Sequence, residues 1–124
     1  MMDKNKELEG ILHELEKSVS GIEAGVIVDT QGLPISSAMP EHVNEGVIAA
    51  MTATILSVSE NALKELGKGN INKILVEGND GSLILMNAGQ NAILAVLIKQ
   101  QTNLGLIFFV MRRAAKKIAS LLSS

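Results

Sequence analysis

The longest helical segment of this chain has no charged residue in its middle. The segment runs from His42 to Leu66, and no position from Gly46 to Ser59 is Asp, Glu, Lys or Arg. A surface helix of a globular protein normally carries charged side chains on its solvent side. Apolar residues recur here at spacings of three and four, which predicts a stripe that packs on a sheet. The stripe comprises Val43, Val47, Met51, Ile55, Val58, Ala62 and Leu66.

A row of small residues on the same helix predicts a second covered surface. Because successive residues are about 100° apart around a helix, residues three and four positions apart share a face. The row comprises Gly46, Ala49, Ala53 and Ser57. We interpret it as contact with the same helix of a second subunit. The alternative is a monomer that sandwiches the helix between two layers, for which 124 residues provide little material.

Periodicity and turn residues predict seven further elements around this helix. The full order is a helix at 3–18, strands at 22–28 and 33–38, the long helix, strands at 71–77, 82–88 and 92–99, and a helix at 103–122. Asp29 and Gly32 supply turn chemistry between the first two strands, and Pro34 favours an edge position for the second. The last two strands are nearly continuous apolar runs, which is typical of strands covered on both faces. Asn103 is a suitable cap for the final helix.

The composition excludes several classes of protein. The length suits one domain, predicted to span residues 1–124. The lack of Cys excludes disulfides and thiolate metal sites, and the charged start MMDKNKELEG is unlike a signal peptide, so we expect a cytoplasmic protein. A net charge of −2 and only two aromatic residues, Phe108 and Phe109, argue against nucleic-acid binding. Unbroken apolar runs such as Leu104–Met111 are shorter than the ~20 residues of a membrane span, so we expect no direct membrane insertion.

Residues that commonly carry catalysis are missing or isolated. The chain has no Gly-x-x-x-x-Gly-Lys-Ser/Thr phosphate loop. His13 and His42 do not belong to a cluster of ligands and are interpreted as surface histidines, so no metal site is predicted. Ser36 and Ser37 have no His or Asp at the spacing of an activated nucleophile. The sequence therefore predicts a protein without catalytic residues or cofactors.

A basic cluster lies on the final predicted helix. It comprises Arg112, Arg113, Lys116 and Lys117. At this spacing, next to alanines, the cluster is more typical of a solvated helix face than of a membrane or nucleic-acid patch. Its position toward the helix C-terminus also suits the helix dipole.

Three strings occur in a recognisable order along the chain. They are GIEAGVIVDTQGLPISSA at 21–38 with its Asp-x-x-Gly turn, AAMTATILSVSE in the long helix, and NLGLIFFVMRRAAKKIASLL at 103–122 with its Asn-Leu-Gly start. Together with the element order, these strings resemble the roadblock family, whose small domains are close in fold to longin and profilin-like domains. The resemblance covers nearly the whole chain.

The resemblance implies an α/β (α+β) fold with a five-stranded antiparallel sheet in the order 2-1-5-4-3. The long helix would lie on one face and the two terminal helices on the other. It also implies a homodimer in which the long helices pack side by side and the third strands join two sheets, which would remove an exposed sheet edge. The residues expected at this dimer interface are Gly46, Ala49, Ala53, Ser57, Ile71, Lys73 and Leu75.

Members of the roadblock family bind Ras-like small GTPases, in some cases raising hydrolysis by the partner, or attach larger complexes. The resemblance thus implies a non-enzymatic homodimeric adaptor that binds a Ras-like small GTPase. Helical geometry away from the predicted sheet stripe suggests the partner-binding residues Glu45, Thr52, Leu56, Glu60 and Leu63. The only arginines, Arg112 and Arg113, lie outside the long helix, so this surface is not expected to donate an arginine finger.

Two other functions fit the same pattern. A purely structural subunit of a larger assembly would co-purify with that assembly regardless of guanine nucleotides. A sensor domain would bind a small ligand between sheet and helix, and its melting temperature would rise with ligand concentration.

Overall fold

Eight elements follow one another in the predicted order. A computed structural model of the protein describes residues 3–123. The elements are α1 (Lys4–Ser18), β1 (Ile22–Asp29), β2 (Pro34–Ala38), α2 (Glu45–Glu65), β3 (Ile74–Gly78), β4 (Gly81–Asn87), β5 (Ala92–Ile98) and α3 (Leu104–Leu122). The predicted boundaries agree closely except at the starts of α2 and β3. The α2 helix begins after Asn44, whose Oδ1 accepts a hydrogen bond of 3.1 Å from the Val47 N–H.

The five strands form one antiparallel sheet in the order β2-β1-β5-β4-β3. The α2 helix packs on one face, and α1 and α3 pack on the other. Alternate residues of the central strand β5 enter the two cores, with Leu94 and Val96 on the α1 and α3 side and Ile93 and Ala95 on the α2 side. The predicted fold class and the double coverage of the central strands are therefore confirmed.

The turn between β1 and β2 packs directly on α2. Asp29 Oδ1 accepts a hydrogen bond of 3.0 Å from the Leu33 N–H, and Gly32 adopts a positive φ of 90°. A Cβ placed on Gly32 would lie 3.4 Å from the Ala53 Cβ and 3.7 Å from the Ala49 carbonyl oxygen. The small side chains of α2 therefore make room for this turn within the same chain.

The orientation of α2 about its own axis is opposite to the prediction. Its buried residues are Ala49, Thr52 and Leu56. Four members of the stripe predicted to face the sheet are instead at least half exposed: Val47, Met51, Val58 and Leu66. The helix is apolar on several sides, so its periodicity did not show which side faces inward, and the β1–β2 turn requires the small residues there.

The α3 helix packs on the sheet through larger side chains. Asn103 caps it as predicted, with Oδ1 accepting a hydrogen bond of 3.1 Å from the Leu106 N–H. Three of its own side chains are fully buried against the sheet: Ile107, Met111 and Ile118. On this side of the sheet α3 also packs against α1. The second core is therefore built from large aliphatic residues.

Candidate protein-interaction site

The solvent side of α2 is an apolar stripe without charge. It comprises Val47, Met51, Thr54 and Val58, which we call the α2 surface. The spacings alternate between four and three residues, the heptad pattern that suits packing of two helices against each other. The Thr54 hydroxyl donates a 2.9 Å hydrogen bond to the Ala50 carbonyl oxygen, so this polar group is already satisfied within the helix. An exposed apolar surface of this kind is typical of a protein interface.

The strand β3 forms an open edge on the same domain. It pairs with β4 on one side, and no described residue between 3 and 123 pairs with its other side. The α2 helix packs mainly over β1, β2 and β5, and on β3 it is Ile74, the first residue of the strand, that packs against the α2 core. Val76 is exposed and pairs with Leu83, which belongs to the α2 core, so Val76 lies on the same face of the sheet as α2. The structure thus presents an apolar helix and an unpaired strand side by side.

Charged residues stand at the two ends of the α2 surface. Near the start of the helix, the Glu45 carboxylate accepts a hydrogen bond from the Ser37 hydroxyl of β2. Toward the other end, Glu60 and Lys64 border an open cleft of about 360 Å³. The other residues that line this cleft are Thr30, Leu56, Gly69, Asn70, Ile71, Asn87, Gly89 and Gln90. Charged contacts from α2 to a partner are therefore available only beyond the uncharged stretch.

The residues predicted for the dimer interface do not all lie together. Gly46 and Ser57 are exposed on α2, whereas Ala49 is buried against the sheet and Ala53 is half-buried beside the β1–β2 turn. The prediction that Ala49 lies on a second, outer surface is wrong, because the turn and the sheet cover it. The roles of Gly46 and Ser57 stay predictions.

Two of the three residues predicted on the pairing strand precede it. Ile71 is buried in the α2 core, and the Lys73 Nζ lies 4.9 Å from the centroid of the Phe108 ring. Because β3 begins only at Ile74, the placement of Ile71 and Lys73 on this strand is wrong. Leu75 lies on β3, as predicted, and it is exposed in this structure. Its role in a dimer stays a prediction.

The residues predicted to bind a partner also divide into two groups. Glu45 and Glu60 are exposed, and Leu63 is half-buried against the α2 core. Thr52 and Leu56 face the sheet and are buried, so their predicted placement on an accessible surface is wrong. The physical reason is the reversed orientation of α2. Only the ends of the helix retain the predicted exposure.

The sequence pattern did not identify the residues that form the α2 surface. Val47, Met51 and Val58 were assigned to the core because their spacing is regular. The signal that could have separated them was the row of small residues, since Ala49 and Ala53 fit a closely packed turn better than a broad sheet face. Within residues 3–123, no three His, Asp or Glu side chains converge in a group that could hold a metal ion.

By length and composition alone, α2 also resembles a membrane-spanning helix. It has 21 residues, and its most apolar window has few charges. The unbroken apolar runs considered in the sequence did not indicate this, because small polar residues interrupt them. In the fold, however, Thr52 and Leu56 cover the sheet. Inserting α2 into a bilayer would uncover sheet residues such as Val26 and Ile93, so we treat its outer stripe as the surface of a folded domain.

The sequence comparisons identify the family. The family model described as the Roadblock/LC7 domain matches residues 8–98. The chain belongs to the Roadblock/LC7 domain family. Protein MJ1340 of Methanocaldococcus jannaschii is 34% identical over 114 residues, which cover 92% of this chain and 98% of the relative. The resemblance drawn from the three strings is therefore confirmed.

Solved structures support the same fold. Myxococcus xanthus MglB superposes with a TM-score of 0.90 at 21% identity and covers 98% of both chains. A Roadblock/LC7 domain from Streptomyces avermitilis gives a TM-score of 0.89 at 20% identity over 94% of this chain and 98% of that chain. Profilin II of Acanthamoeba castellanii gives 0.65 at 12% identity over 95% and 98% of the two chains. The fold of this Roadblock/LC7 domain is thus profilin-like.

Proposed function

We propose that this Roadblock/LC7 domain protein is a non-enzymatic, cytoplasmic adaptor that forms a homodimer and binds a Ras-like small GTPase. The observation that carries the proposal is the uncharged, solvent-facing stripe of α2. In a monomer the apolar side chains of Val47, Met51 and Val58 would stay exposed to water. A second copy presents the same stripe, so a symmetric dimer would bury both. The family resemblance supplies the class of partner.

The pairing of two copies is supported by two features with the same symmetry. The heptad spacing of the α2 surface suits a side-by-side helix pair, and the open edge of β3 suits pairing with its own copy. Val76 lies on the α2 side of the sheet and adds apolar area next to that edge. One two-fold axis can satisfy both features, whereas an unrelated partner would need to match a helix and a strand independently.

The GTPase is proposed to bind across the paired helices and to contact their charged ends. Glu45 and Glu60 are exposed at either end of the uncharged stretch and are the predicted partner-binding residues that remain accessible. Carboxylates that flank an apolar centre provide orientation and specificity more than raw affinity. Thr52 and Leu56 are excluded from this contact because they pack on the sheet.

An effect on hydrolysis would have to come from reorganising the partner's own catalytic groups. The α2 helix contains no Arg, and Arg112 and Arg113 lie on α3 across the sheet. An arginine donated in trans from the α2 surface is therefore not available. We propose that the dimer positions the GTPase and, where it affects hydrolysis, does so by ordering the GTPase switch loops.

The test combines oligomeric state with nucleotide-dependent capture. Light scattering at micromolar concentration should give twice the chain mass. Immobilised protein should capture a Ras-like GTPase from the native lysate, in either the GDP or the GTP-analogue state. Mass spectrometry identifies the captured protein. The double variant Glu45→Lys and Glu60→Lys should stay dimeric and reduce capture about tenfold. Glu23→Lys, an exposed carboxylate on β1, is the matched control and should capture normally.

The outcomes separate the alternatives. A monomer mass for the wild-type protein would contradict the proposed homodimer. Capture of a large assembly that does not depend on nucleotide would instead favour the structural subunit. A rise in melting temperature with a small metabolite, without capture of any GTPase, would favour the sensor domain and point to the cleft beside Glu60 and Lys64.

A further inference from the structure

The outer face of α3 is strongly cationic. Arg112, Arg113, Lys116 and Lys117 are all exposed on it, and α3 contains no Asp or Glu. The whole chain has a net charge of −2, so this helix differs in sign from the rest of the molecule. The sequence pattern alone favoured a solvated face. The structure adds the position of the aromatic and apolar residues among these charges.

Two large apolar side chains lie on the same exposed face, toward the start of α3. Phe109 is 57% exposed and Leu106 is also exposed. Phe109 precedes Arg113 by one helical turn, and the Arg113 guanidinium carbon lies 5.8 Å from the centroid of the Phe109 ring. An aromatic ring that shares a helix face with cations is the arrangement of an interfacial anchor, in which the ring enters the lipid boundary and the cations meet headgroups.

Nearby acidic groups do not neutralise this face. The Lys117 Nζ lies 3.8 Å from a carboxylate oxygen of Glu14 on α1, and both side chains are more than half exposed, so the pair is a weak surface interaction. Within residues 3–123, Arg112, Arg113 and Lys116 have no carboxylate within ion-pair distance. Three of the four cations are therefore free to meet an anionic surface.

We propose that the outer face of α3 binds an anionic lipid bilayer as a peripheral contact. The combination of groups on this face favours a bilayer, because exposed apolar side chains, Leu106 and Phe109, lie on the same helix face as the four cations. Cations near an anionic leaflet each add to the attraction, and the exposed Phe109 adds an apolar contribution. Binding requires no insertion of a whole helix.

The position of α3 also places this contact opposite the α2 surface. The five-stranded sheet lies between the two helices, with α2 on one face and α3 on the other. If two copies join through α2 and β3, which rests on the proposed function, their α3 helices lie on one common side. Two cationic faces on one side bind the same bilayer with higher avidity than one.

Vesicle co-sedimentation tests the proposal with the full chain. The protein should bind phosphatidylcholine vesicles that contain about one third phosphatidylglycerol, should not bind pure phosphatidylcholine vesicles, and should dissociate at high salt. Arg113→Glu with Lys116→Glu should lower the affinity at least about tenfold. The control, Lys68→Glu with Lys99→Glu, makes the same charge change outside α3 and should bind within about twofold of wild type.

The aromatic residue has a separate signature. Phe109→Ser should weaken binding to anionic vesicles about threefold to tenfold, and lowering the salt should not restore the loss. Phe109 is exposed, so the melting temperature of this variant should match wild type, which excludes misfolding as the cause. A variant of unchanged stability that binds vesicles normally would overturn the anchoring role of Phe109.

Other results would overturn the proposal as a whole. These are equal binding to neutral vesicles, no binding to anionic vesicles, or an equal loss in the Lys68 and Lys99 control. Binding of RNA or an acidic peptide that depends on Arg113 and Lys116, without vesicle binding, would assign the face to a soluble polyanion. Val58→Asp separates this proposal from the homodimer, since a monomeric variant should still bind anionic vesicles, with lower avidity.

Discussion

The α2 and α3 helices are a natural pair for comparison. Each begins at an Asn cap and packs on one face of the same sheet. The inner face of α3 contributes large residues such as Ile107, Met111 and Ile118, whereas the inner face of α2 contributes Ala49, Thr52 and Leu56. The outer faces differ even more, because one is apolar and uncharged and the other is cationic. The same packing role therefore allows two different outward chemistries.

From this difference we expect α2, and not α3, to depend on a partner. The α3 helix buries three large side chains, Ile107, Met111 and Ile118, within the single chain. On α2 the only buried large side chain is Leu56; Ile48, Ile55 and Leu63 are half-buried, and Val47, Met51 and Val58 are exposed, so more of its apolar surface is available for association. The predictions below test this contrast, from the largest expected effect to the smallest.

A charge in the centre of the α2 surface should have the largest effect. Val58→Asp should raise the dimer dissociation constant about a thousandfold, because the interface would bury two unpaired carboxylates, one from each subunit. Analytical ultracentrifugation over a concentration series measures the change. Leu33→Asp is a matched control, since Leu33 is 60% exposed and Val58 is 64% exposed. Equal dimer dissociation constants for the two variants would show that α2 is not part of the dimer interface.

Truncation of the inner face of α3 should destabilise the fold itself. Ile118→Ala should lower the free energy of unfolding by about 3 kcal/mol, because Ile118 is fully buried and the cavity cannot be refilled. Val47→Ala, on the outer face of α2, should change the stability of the monomer by less than about 0.5 kcal/mol. Chemical denaturation in the monomeric Val58→Asp background measures both. Similar losses at the two positions would contradict the contrast between the helices.

A substitution at Thr52 should have a smaller effect and should raise, not lower, the free energy of unfolding. Its side chain is fully buried under α2, and the hydroxyl has no hydrogen-bond partner among the described residues. Thr52→Val keeps the shape and removes an unsatisfied polar group, so it should raise the free energy of unfolding by about 1 kcal/mol. Thr54→Val is the control at an exposed position with a satisfied hydroxyl, and it should be nearly neutral when chemical denaturation compares both variants in the monomeric Val58→Asp background. A destabilised Thr52→Val protein would indicate a bound partner for that hydroxyl.

The two helix caps provide the finest comparison. Asn44→Ala and Asn103→Ala each remove a side-chain hydrogen bond of 3.1 Å to a backbone N–H and should each cost about 1 kcal/mol. If α2 depends on association, Asn44→Ala should also increase amide exchange along α2 most strongly at low protein concentration, whereas Asn103→Ala should act independently of concentration. Hydrogen exchange at two protein concentrations measures this effect. Exchange in α2 that does not change with concentration would contradict a link between the stability of α2 and association.

Much of the fold was predictable from the sequence because its signals are local. The Asp29 turn, the Asn103 cap and the apolar β5 strand each act over a few residues, and the structure confirms them. The sheet order came from the family resemblance. The start of β3 was placed too early because Ile71 belongs to the core and not to the strand.

The candidate site was less predictable because the rotation of α2 about its own axis depends on residues that are distant in the sequence. Gly32 packs on the Ala53 side chain and on the α2 backbone at Ala49 and Ala50, and nothing in the periodicity of α2 reveals that contact. A helix with apolar residues on several sides has no charged face to mark the solvent. The exposed stripe and the buried stripe therefore carried the same 3-4 spacing.

The sheet between α2 and α3 sets a limit on how the molecule can transmit information. Five hydrogen-bonded strands with a packed core on each side separate the two outward helices. If the proposed partners bind on opposite sides of the sheet, we expect neither to change the binding of the other. The domain would then act by bringing the two partners into proximity, with an output that scales with occupancy on both sides.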